Sequence, residues 1–291
     1  VFASSLSLIC FNMKHLRLFK LRMNQFFVVG NPIAHSKSPI IHQHFAEQTG
    51  IIQNYDQLLL DTDKFEVELL KLVEAGVAGV NVTLPFKERA FALCSEVTER
   101  AELSKAVNTL AFRERKIVGD NTDGAGLVAD LLFHRIIIAG ANILIIGAGG
   151  ATRGVIPSLL AAQPKSLSIT NRTQEKANKI VDEISDKRLS AVDIEEVGDQ
   201  YDIIINASSS SVTQQLPKIA SIIFNNAKCV YDMFYQAQPT VFMQWAKEHN
   251  RDASTIDGLG MLIEQAAEAF FVWNNVRPDT TTIRATLRNL I

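Results

Sequence analysis

The glycines of Gly147-Ala-Gly-Gly-Ala-Thr-Arg-Gly154 have the most distinctive spacing in the chain. They follow an apolar run, residues 143–146, and open a predicted apolar helix at residues 152–162. In a dinucleotide-binding fold, such glycines permit a tight turn close to pyrophosphate, and the helix N-terminus supplies N–H donors. The expected contacts come from Gly147, Ala148, Gly149, Gly150 and Ala151. The pattern therefore predicts a dinucleotide site, and a plain packing turn is the alternative.

The next predicted strand, residues 166–170, ends in Asn171-Arg172-Thr173. Folds that bind NAD place an acidic residue near this point, where it contacts the ribose hydroxyls. No carboxylate stands at this strand end. Arg172 can stack on adenine and pair with a 2′-phosphate, and Thr173 can donate a hydrogen bond to that phosphate. The sequence therefore predicts NADP rather than NAD. A solvated Arg172 before a helix capped by Thr173 is the alternative.

Two serines in residues 30–39 carry hydroxyl groups that can act together. Ser36 and Ser38 are two residues apart, and such a pair can clamp a polyol or a carboxylate. Ser38 precedes Pro39, which is typical of a helix N-cap followed by proline, so capping explains Ser38 equally well. Ser36 has no such structural explanation in the sequence.

Lys87 and Asp123 are the candidates for proton transfer and charge stabilisation. Lys87 stands at the start of a predicted helix, where the helix dipole disfavours a positive charge, so another partner or role is indicated. A solvated lysine is the alternative. Asp123 can cap the helix that starts at Gly124, or it can be the charge partner of Lys87. Spacing alone does not decide between these two interpretations.

Strands and helices alternate regularly from Met23 onward. Strands are expected at residues 26–29, 55–60, 77–82, 106–112, 116–118, 143–146, 166–170, 202–206 and 229–232. Helices are expected at residues 39–49, 64–74, 87–92, 124–133, 152–162, 174–184, 240–249 and 261–275. This alternation predicts an α/β fold with mainly parallel sheets and helices on their faces.

The composition restricts the possible classes of protein. A chain of 291 residues suggests two domains of about 150 residues each. Apolar residues make up 47% and charged residues 21%, which excludes a wholly disordered chain, a collagen and a coiled coil. The net charge of -2 argues against a nucleic-acid partner. The apolar runs are too short for a membrane-spanning helix, so we expect no membrane partner.

The remaining composition signals concern the compartment and the N-terminus. Cys10, Cys94 and Cys229 form neither a disulfide framework nor a zinc pattern, which fits a reducing, cytoplasmic location and no metal site. Residues 1–22 carry basic residues and no acid, with the apolar part first, the reverse of a secretory signal. They are expected to be an N-terminal extension that is disordered or non-native. The functional chain would then start at Met13 or Met23. A short amphipathic segment at a membrane surface is the alternative.

Eight blocks in order resemble the bacterial shikimate dehydrogenase family over residues 23–291. They are residues 30–39, 81–87, 106–109, 120–124, 147–151, 171–173, 231–235 and 257–266. The resemblance implies reversible, NADPH-dependent reduction of 3-dehydroshikimate to shikimate, in the pathway to chorismate and the aromatic amino acids. It also implies a cytoplasmic enzyme that is a monomer or a homodimer.

The resemblance also implies residue roles. Lys87 and Asp123 would be the catalytic pair around the reacting C3 oxygen. The substrate would be bound by Ser36, Ser38, Thr83, Lys87, Asn108, Asp123, Tyr235 and Gln265. The cofactor would be bound by Gly147, Ala148, Gly149, Gly150, Ala151, Asn171, Arg172, Thr173, Met233 and Gly258. Hydride transfer to a ketone develops an alkoxide, which needs a nearby cation and a proton, and Lys87 can supply both.

Two domains around a cleft are therefore expected, an α/β substrate domain and a Rossmann-type NADP-binding domain. Residues 23–122 with 258–291 would form the first, and residues 123–257 the second. One block departs from the family pattern, which usually reads Asn-Ala-Thr-Ser-x-Gly. Here Ser211 replaces the glycine of this block and Ser208 the threonine. The alternatives are a quinate/shikimate dehydrogenase that uses NAD and a non-catalytic regulator that senses NADP or a metabolite.

Overall fold

The first half of the chain forms a six-stranded sheet, and the computed structural model describes residues 23–114 and 116–291. The predicted N-terminal extension, residues 1–22, lies outside the described residues. The strands are β1 (Asn24–Gly30), β2 (Gln53–Leu59), β3 (Gly79–Val82), β4 (Glu96–Val97), β5 (Thr109–Arg113) and β6 (Lys116–Asp120). The helices are α1 (Ser38–Thr49), α2 (Phe65–Glu74), α3 (Lys87–Ala92) and α4 (Glu99–Ser104).

This first sheet has the strand order β2-β1-β3-β5-β6-β4. β1 pairs in parallel with β2 and β3, and β4 pairs in parallel with β6. β5 is antiparallel to both of its neighbours, β3 and β6. The prediction of a mainly parallel sheet is confirmed with this one exception. It arises because only two residues separate β5 from β6, and a connection that short joins only antiparallel strands.

The second half forms another six-stranded sheet, which is entirely parallel. Helix α5 (Asp123–Phe133) leads into it. The strands are β7 (Asn142–Ile146), β8 (Ser166–Thr170), β9 (Leu189–Ala191), β10 (Ile203–Asn206), β11 (Cys229–Asp232) and β12 (Ser254–Asp257). The helices between them are α6 (Gly150–Ala161), α7 (Gln174–Ile184) and α8 (Val241–His249). The chain ends with α9 (Leu259–Asn274) and α10 (Thr281–Arg288).

The second sheet has the order β12-β11-β10-β7-β8-β9. From β7 the chain builds outward through β8 and β9, and it then returns to build the other side through β10, β11 and β12. The direction of winding therefore reverses between β7 and β10. In open parallel sheets, ligands bind outside the carboxyl ends of the strands at such a reversal. This two-sided winding is the Rossmann-type arrangement expected from the sequence.

Most predicted elements are confirmed, with boundaries that differ by a few residues. Helices α6 and α9 each begin two residues earlier than predicted. The unpredicted elements are β4, β9, β12, α4 and α10. β4 and β9 are two and three residues long, too short to show an alternating pattern. α10 buries only Ile283 and Leu287, so its apolar signal in the sequence is weak.

The C-terminal helices complete the core of the first half of the chain. Ile41 and Phe45 of α1 are fully buried against Ile263 and Phe270 of α9 and Leu287 of α10. Without α9 and α10 these side chains of α1 would lack their apolar partners. Helix α1 and the last two helices therefore share one hydrophobic cluster, although more than two hundred residues of chain separate them.

Ion pairs from α10 reach residues of the second half of the chain. The Arg284 guanidinium lies 2.6 Å from an oxygen of Asp130 in α5, and Tyr231 donates a hydrogen bond to the same carboxylate. Arg288 makes two hydrogen bonds to Asp257 at the end of β12. α10 thus packs on one half of the chain through apolar residues and on the other through charge pairs.

His42 in α1 is fully buried in an aromatic cluster. Its ring stacks on Tyr55 with 4.0 Å between centroids, and Trp273 and Phe270 pack around it. Neither ring nitrogen has a hydrogen-bond partner among the described residues. Burial lowers the pKa of His42 to about 3. His42 is therefore neutral in the folded protein, and it is a packing residue.

His42→Phe is expected to make the protein more resistant to acid. The folded pKa is lower than the unfolded value of 6.5, so between those values the unfolded chain binds more protons. The contribution of neutral His42 to the free energy of unfolding is therefore complete above pH 6.5. It is lost as the pH falls, by about 2 kcal/mol at pH 5. Urea unfolding at pH 7.5 and pH 5 measures this difference, and His42→Phe should remove it. Equal pH dependence in both proteins would contradict the prediction, and His249→Gln, at an exposed histidine, is the control.

Candidate active site

A cavity of about 370 Å³ lies between the carboxyl ends of the first sheet and the start of α9. Ten of the residues singled out from the sequence line this cavity. They are Ser36, Ser38, Thr83, Lys87, Asn108, Asp123, Met233, Tyr235, Gly258 and Gln265. The residues come from both halves of the chain, so the cavity is the predicted cleft between them.

Lys87 and Asp123 form an ion pair in this cavity, with Nζ 2.5 Å from Oδ2. Lys87 is the first residue of α3, and Asp123 is the first residue of α5. The side chains are only 21% and 10% exposed, so water screens the pair less than it screens a surface pair. Thr122 holds the N-cap position of α5, and the Asp123 carboxylate is paired with Lys87 and Asn108, so the structure favours the charge-partner interpretation over the capping one.

Asn108 holds the other oxygen of Asp123. Its amide nitrogen donates to Asp123 Oδ1 at 2.7 Å and lies 3.3 Å from Gln265 Oε1. Its amide oxygen accepts from the backbone N–H of Thr122 at 2.8 Å. Because the oxygen is committed to Thr122, the NH₂ group must face Asp123. The buried amide of Asn108 thus fixes the orientation of the Asp123 carboxylate in the ion pair.

A second amide, Asn81 in β3, also lines the cavity and extends this network to Tyr55 and Thr109. It donates to the backbone oxygen of Asn108 and to Thr109 Oγ1, and it accepts from the Tyr55 hydroxyl at 2.7 Å. Sequence reasoning did not single out Tyr55, Asn81 or Thr109. Asn81 stands in the block of residues 81–87, and a polar residue in an apolar strand was the available signal.

Both serines line the cavity, and the hydroxyl that accepts a hydrogen bond from the start of α1 belongs to Ser36 rather than to Ser38. Ser38 is the first residue of α1 and lines the cavity, and Lys37 occupies the N-cap position without a side-chain capping bond. The hydroxyl oxygen of Ser36 accepts the backbone N–H of Ser38 at 3.3 Å. The expected capping role therefore belongs to Ser36, because a helix donor needs an acceptor placed before it in the chain. Both serines lie in the cavity wall.

The glycine-rich loop joins β7 to α6 at the winding reversal of the second sheet. Gly147 has a φ of 115°, which favours glycine, and a Cβ there would lie 3.0 Å from the backbone of Ala207 and Ser208. A Cβ on Gly149 or Gly150 would meet no described atom within 4 Å. The N-terminus of α6 is therefore open to a ligand, and its N–H groups suit pyrophosphate.

Asn171, Arg172 and Thr173 follow the carboxyl end of β8, next to β7. Asn171 donates through its amide to the backbone oxygen of Thr173 at 2.8 Å, and Arg172 is exposed. Thr173 is at the N-cap position of α7, but its side chain makes no capping bond. Its hydroxyl is therefore available to a ligand. Among the described residues, the cavity walls include neither this turn nor the glycine-rich loop.

Gly258 lies where two backbones approach closely. A Cβ there would be 2.1 Å from the carbonyl oxygen of Met233. Any side chain would push residue 258 and the segment after β11 apart, and both line the cavity. Glycine at this position therefore sets the shape of the cavity on the side of the second sheet.

The described residues contain no group of three or more histidine, cysteine or acidic side chains arranged to hold a metal. Burial raises the pKa of Cys94 to about 11 and that of Cys229 to about 12, so neither supplies a thiolate nucleophile. Across the described part of the chain, every helix is too short or too polar to cross a bilayer.

Comparisons with known proteins cover both sheets. The family model "Shikimate dehydrogenase substrate binding domain" matches residues 28–110. "Shikimate / quinate 5-dehydrogenase" matches residues 130–221, and "Shikimate 5'-dehydrogenase C-terminal domain" matches residues 258–288.

Similar proteins include two curated relatives, each named shikimate dehydrogenase (NADP(+)). The relative from Janthinobacterium sp. is 45% identical over 270 residues, covering 92% of this chain and 98% of that protein. The relative from Vibrio campbellii is 48% identical over 271 residues, covering 92% of this chain and 97% of that protein.

A crystal structure of shikimate 5-dehydrogenase from Thermus thermophilus, in complex with NADP(H) and shikimate, has a TM-score of 0.84 and 30% identity. The match covers 92% of this chain and 100% of that chain. The sequence blocks, the two sheets around the cleft and these matches lead to one conclusion: the chain belongs to the shikimate dehydrogenase family.

Proposed function

We propose that the chain is an NADP-dependent shikimate dehydrogenase that reversibly reduces 3-dehydroshikimate to shikimate. The observation that carries the proposal is the ion pair between Lys87 and Asp123 in a cleft that faces a dinucleotide-binding sheet. The enzyme would act in the cytoplasm, in the pathway to chorismate and the aromatic amino acids. It would work as a monomer or a homodimer.

The two halves of the chain would have separate tasks. Residues 23–122 with 258–291 would form the substrate domain, and residues 123–257 the NADP-binding domain. The shared cluster of α1, α9 and α10 supports this division, because it joins the C-terminal helices to α1, and Trp273 of α9 also stacks on Phe26 of β1. Substrate bound between the two domains would be shielded from water when they close.

Lys87 would be the proton donor at the substrate C3 oxygen. NADPH, when bound, supplies the hydride that reduces the ketone. The C3 oxygen then gains negative charge, which the Lys87 ammonium stabilises before giving it a proton. Asp123 accepts a hydrogen bond from Lys87 and so holds Nζ in the cavity. Asn108 fixes the Asp123 carboxylate in turn.

The remaining cavity residues would hold the substrate in one orientation. The hydroxyls of Ser36 and Ser38 lie at one side of the cavity and suit a carboxylate. Thr83, Asn108 and Gln265 supply neutral donors and acceptors for ring hydroxyls, and Tyr235 would also contact the substrate. Held at several points, the ring would present its C3 oxygen to Lys87.

The second sheet has the features that NADP needs. The open N-terminus of α6 suits pyrophosphate, and Gly147 to Ala151 would supply the contacts. The exposed Arg172 and the uncommitted hydroxyl of Thr173 suit a 2′-phosphate, and Asn171 shapes that turn. Met233 and Gly258 border the cavity from this side and would contact the nicotinamide.

The first test is turnover with each combination of substrate and cofactor. Purified protein is mixed with shikimate or quinate and with NADP or NAD, and the absorbance of the reduced cofactor is followed. Strong turnover only with shikimate and NADP is the expected result. Turnover of quinate with NAD would favour the alternative dehydrogenase. No turnover with any pair, from folded protein that binds NADP, would favour the regulator.

A further inference from the structure

The serine-rich segment after β10, residues 207–211, is organised around the buried carboxylate of Asp232. Asp232 ends β11 and is paired in register with Asn206 at the end of β10. Ser211 donates to Asp232 Oδ2 at 2.6 Å, and Thr240 donates to the same oxygen at 2.6 Å. Asn206 donates to Oδ1 at 3.1 Å, and so does the backbone N–H of Phe234 at 3.2 Å. These four donors satisfy a carboxylate that has no exposed surface.

Each of these donors matters because Asp232 has lost its contact with water. Burial raises the pKa of the Asp232 carboxyl, while its hydrogen bonds with Ser211, Thr240, Phe234 and Asn206 act in the opposite direction. A buried carboxylate that loses a donor bears an uncompensated desolvation cost. The hydroxyl of Ser211 is one of only two donors to Oδ2 among the described residues.

Asn206 fixes the other end of the same segment. Its amide oxygen accepts from the hydroxyl of Ser208 at 2.7 Å and from the backbone N–H of Ser208 at 3.2 Å. Its amide nitrogen lies 3.2 Å from the hydroxyl oxygen of Ser211. Ser208 and Ser210 share a further hydrogen bond of 2.9 Å. The segment is thus tied to Asn206 near its start and to Asp232 at its end.

The segment lies at the winding reversal between β7 and β10, where the nicotinamide half of the cofactor would bind. The backbone of Ala207 and Ser208 lies directly beside Gly147 of the glycine-rich loop. Met233, which follows Asp232, lines the cavity, and its carbonyl oxygen packs against Gly258. A shift of Asp232 or of the serine-rich segment would therefore move both sides of the expected nicotinamide site.

Serine at position 211 does not strain the backbone. Residues 211–213 form a single 3₁₀ turn, and the first non-glycine residue with a positive φ after it is Gln214. The family pattern has a glycine at this position, which carries no hydroxyl. The departure from the pattern therefore adds a hydrogen bond to Asp232 without requiring an unusual conformation.

We propose that Ser211 is a positioning residue for the nicotinamide half of NADP. Ser211 acts through Asp232, which holds the serine-rich segment and Met233 in the geometry that the cofactor meets. The inference rests on the proposed function, because it requires that NADP is bound at the second sheet. Ser211 itself is fully buried, so it would act through Asp232 rather than by direct contact with the cofactor.

The test compares Ser211→Ala with Ser209→Ala. Ser209 is exposed, and its side chain makes no hydrogen bond among the described residues, so its variant changes the same segment without touching the network. Ser211→Ala should raise KM for NADP about tenfold, because a binding surface displaced by a fraction of an ångström loses affinity for its ligand. kcat and KM for shikimate should change less than twofold. NADPH binding, followed by the fluorescence of the cofactor, should weaken by the same factor as KM.

Each outcome of this test leads to a different conclusion. Wild-type protein that neither turns over shikimate nor binds NADPH would overturn the proposed function, and with it this inference. An active wild type with Ser211→Ala equal to Ser209→Ala would overturn the positioning role alone. An equal rise in both KM values, or a fall in kcat alone, would also overturn it, because neither is specific to cofactor positioning. Ser211→Gly, which restores the family residue, should behave as Ser211→Ala if the hydroxyl is responsible, and thermal melting confirms that each variant folds.

Discussion

Replacing Lys87 with methionine is expected to lower kcat for ketone reduction by about two to four orders of magnitude. Methionine keeps the length of the side chain but removes the ammonium group that stabilises and protonates the C3 oxygen. The dissociation constant for shikimate should change little, because the serines and amides of the cavity remain. NADPH oxidation with 3-dehydroshikimate measures the first effect, and calorimetric titration with shikimate measures the second.

The matched control is Lys64→Met. Lys64 pairs with Asp61 at 3.6 Å on the surface, with 68% of its side chain exposed, so its loss should leave kcat unchanged. Lys87→Met also leaves Asp123 with a buried carboxylate that has lost its cation, and a lower melting temperature is expected. A folded Lys87→Met enzyme with normal kcat would remove Lys87 from the mechanism.

Arg172→Asp is expected to reverse the preference between the two cofactors. The wild type should prefer NADP, because the guanidinium can pair with the 2′-phosphate. The aspartate should repel that phosphate and accept hydrogen bonds from the free ribose hydroxyls of NAD. We expect kcat/KM for NADP to fall about a hundredfold, the effect of losing one charge-assisted contact. kcat/KM for NAD should rise. Initial rates with each cofactor at saturating shikimate measure both.

Lys179→Asp separates a local contact from a general change of charge. Lys179 lies on α7, is 71% exposed and pairs with Glu183 at 3.8 Å, so its replacement makes the same charge change away from the β8 turn. It should leave the ratio of kcat/KM for NADP to kcat/KM for NAD unchanged. If the wild type used NADP and NAD equally well, the assignment of Arg172 would be wrong. An unchanged ratio of kcat/KM values in Arg172→Asp would also contradict the assignment of Arg172.

Several candidate site residues stand at the ends of regular elements, and the sequence predicted these positions. Gly147 follows β7 directly, and Arg172 follows β8, so hydrophobic periodicity placed both at one edge of a parallel sheet. Lys87 and Asp123 each begin a helix after a strand of the first sheet. The resemblance to the family supplied their pairing, and the structure places the two charged atoms in contact.

What sequence reasoning missed depends on contacts between distant residues. The amide of Asn81 reaches Thr109 only because β3 pairs antiparallel with β5, and no local pattern shows that pairing. Tyr55 joins the network from β2, which is two strands away from β3 in the sheet. Ser36 was assigned no structural role because its hydrogen bond to Ser38 depends on the turn that the chain takes before α1.

The shared cluster of α1, α9 and α10 has a consequence for synthesis of the chain. The second sheet is complete when residue 257 has been made, because all six of its strands are then present. The apolar side chains of Ile41 and Phe45, made much earlier, gain their partners only when residues up to Leu287 leave the ribosome. The half of the protein that is made first is therefore the half that is finished last. In a nascent chain, the apolar face of α1 therefore stays uncovered until α9 and α10 have been made.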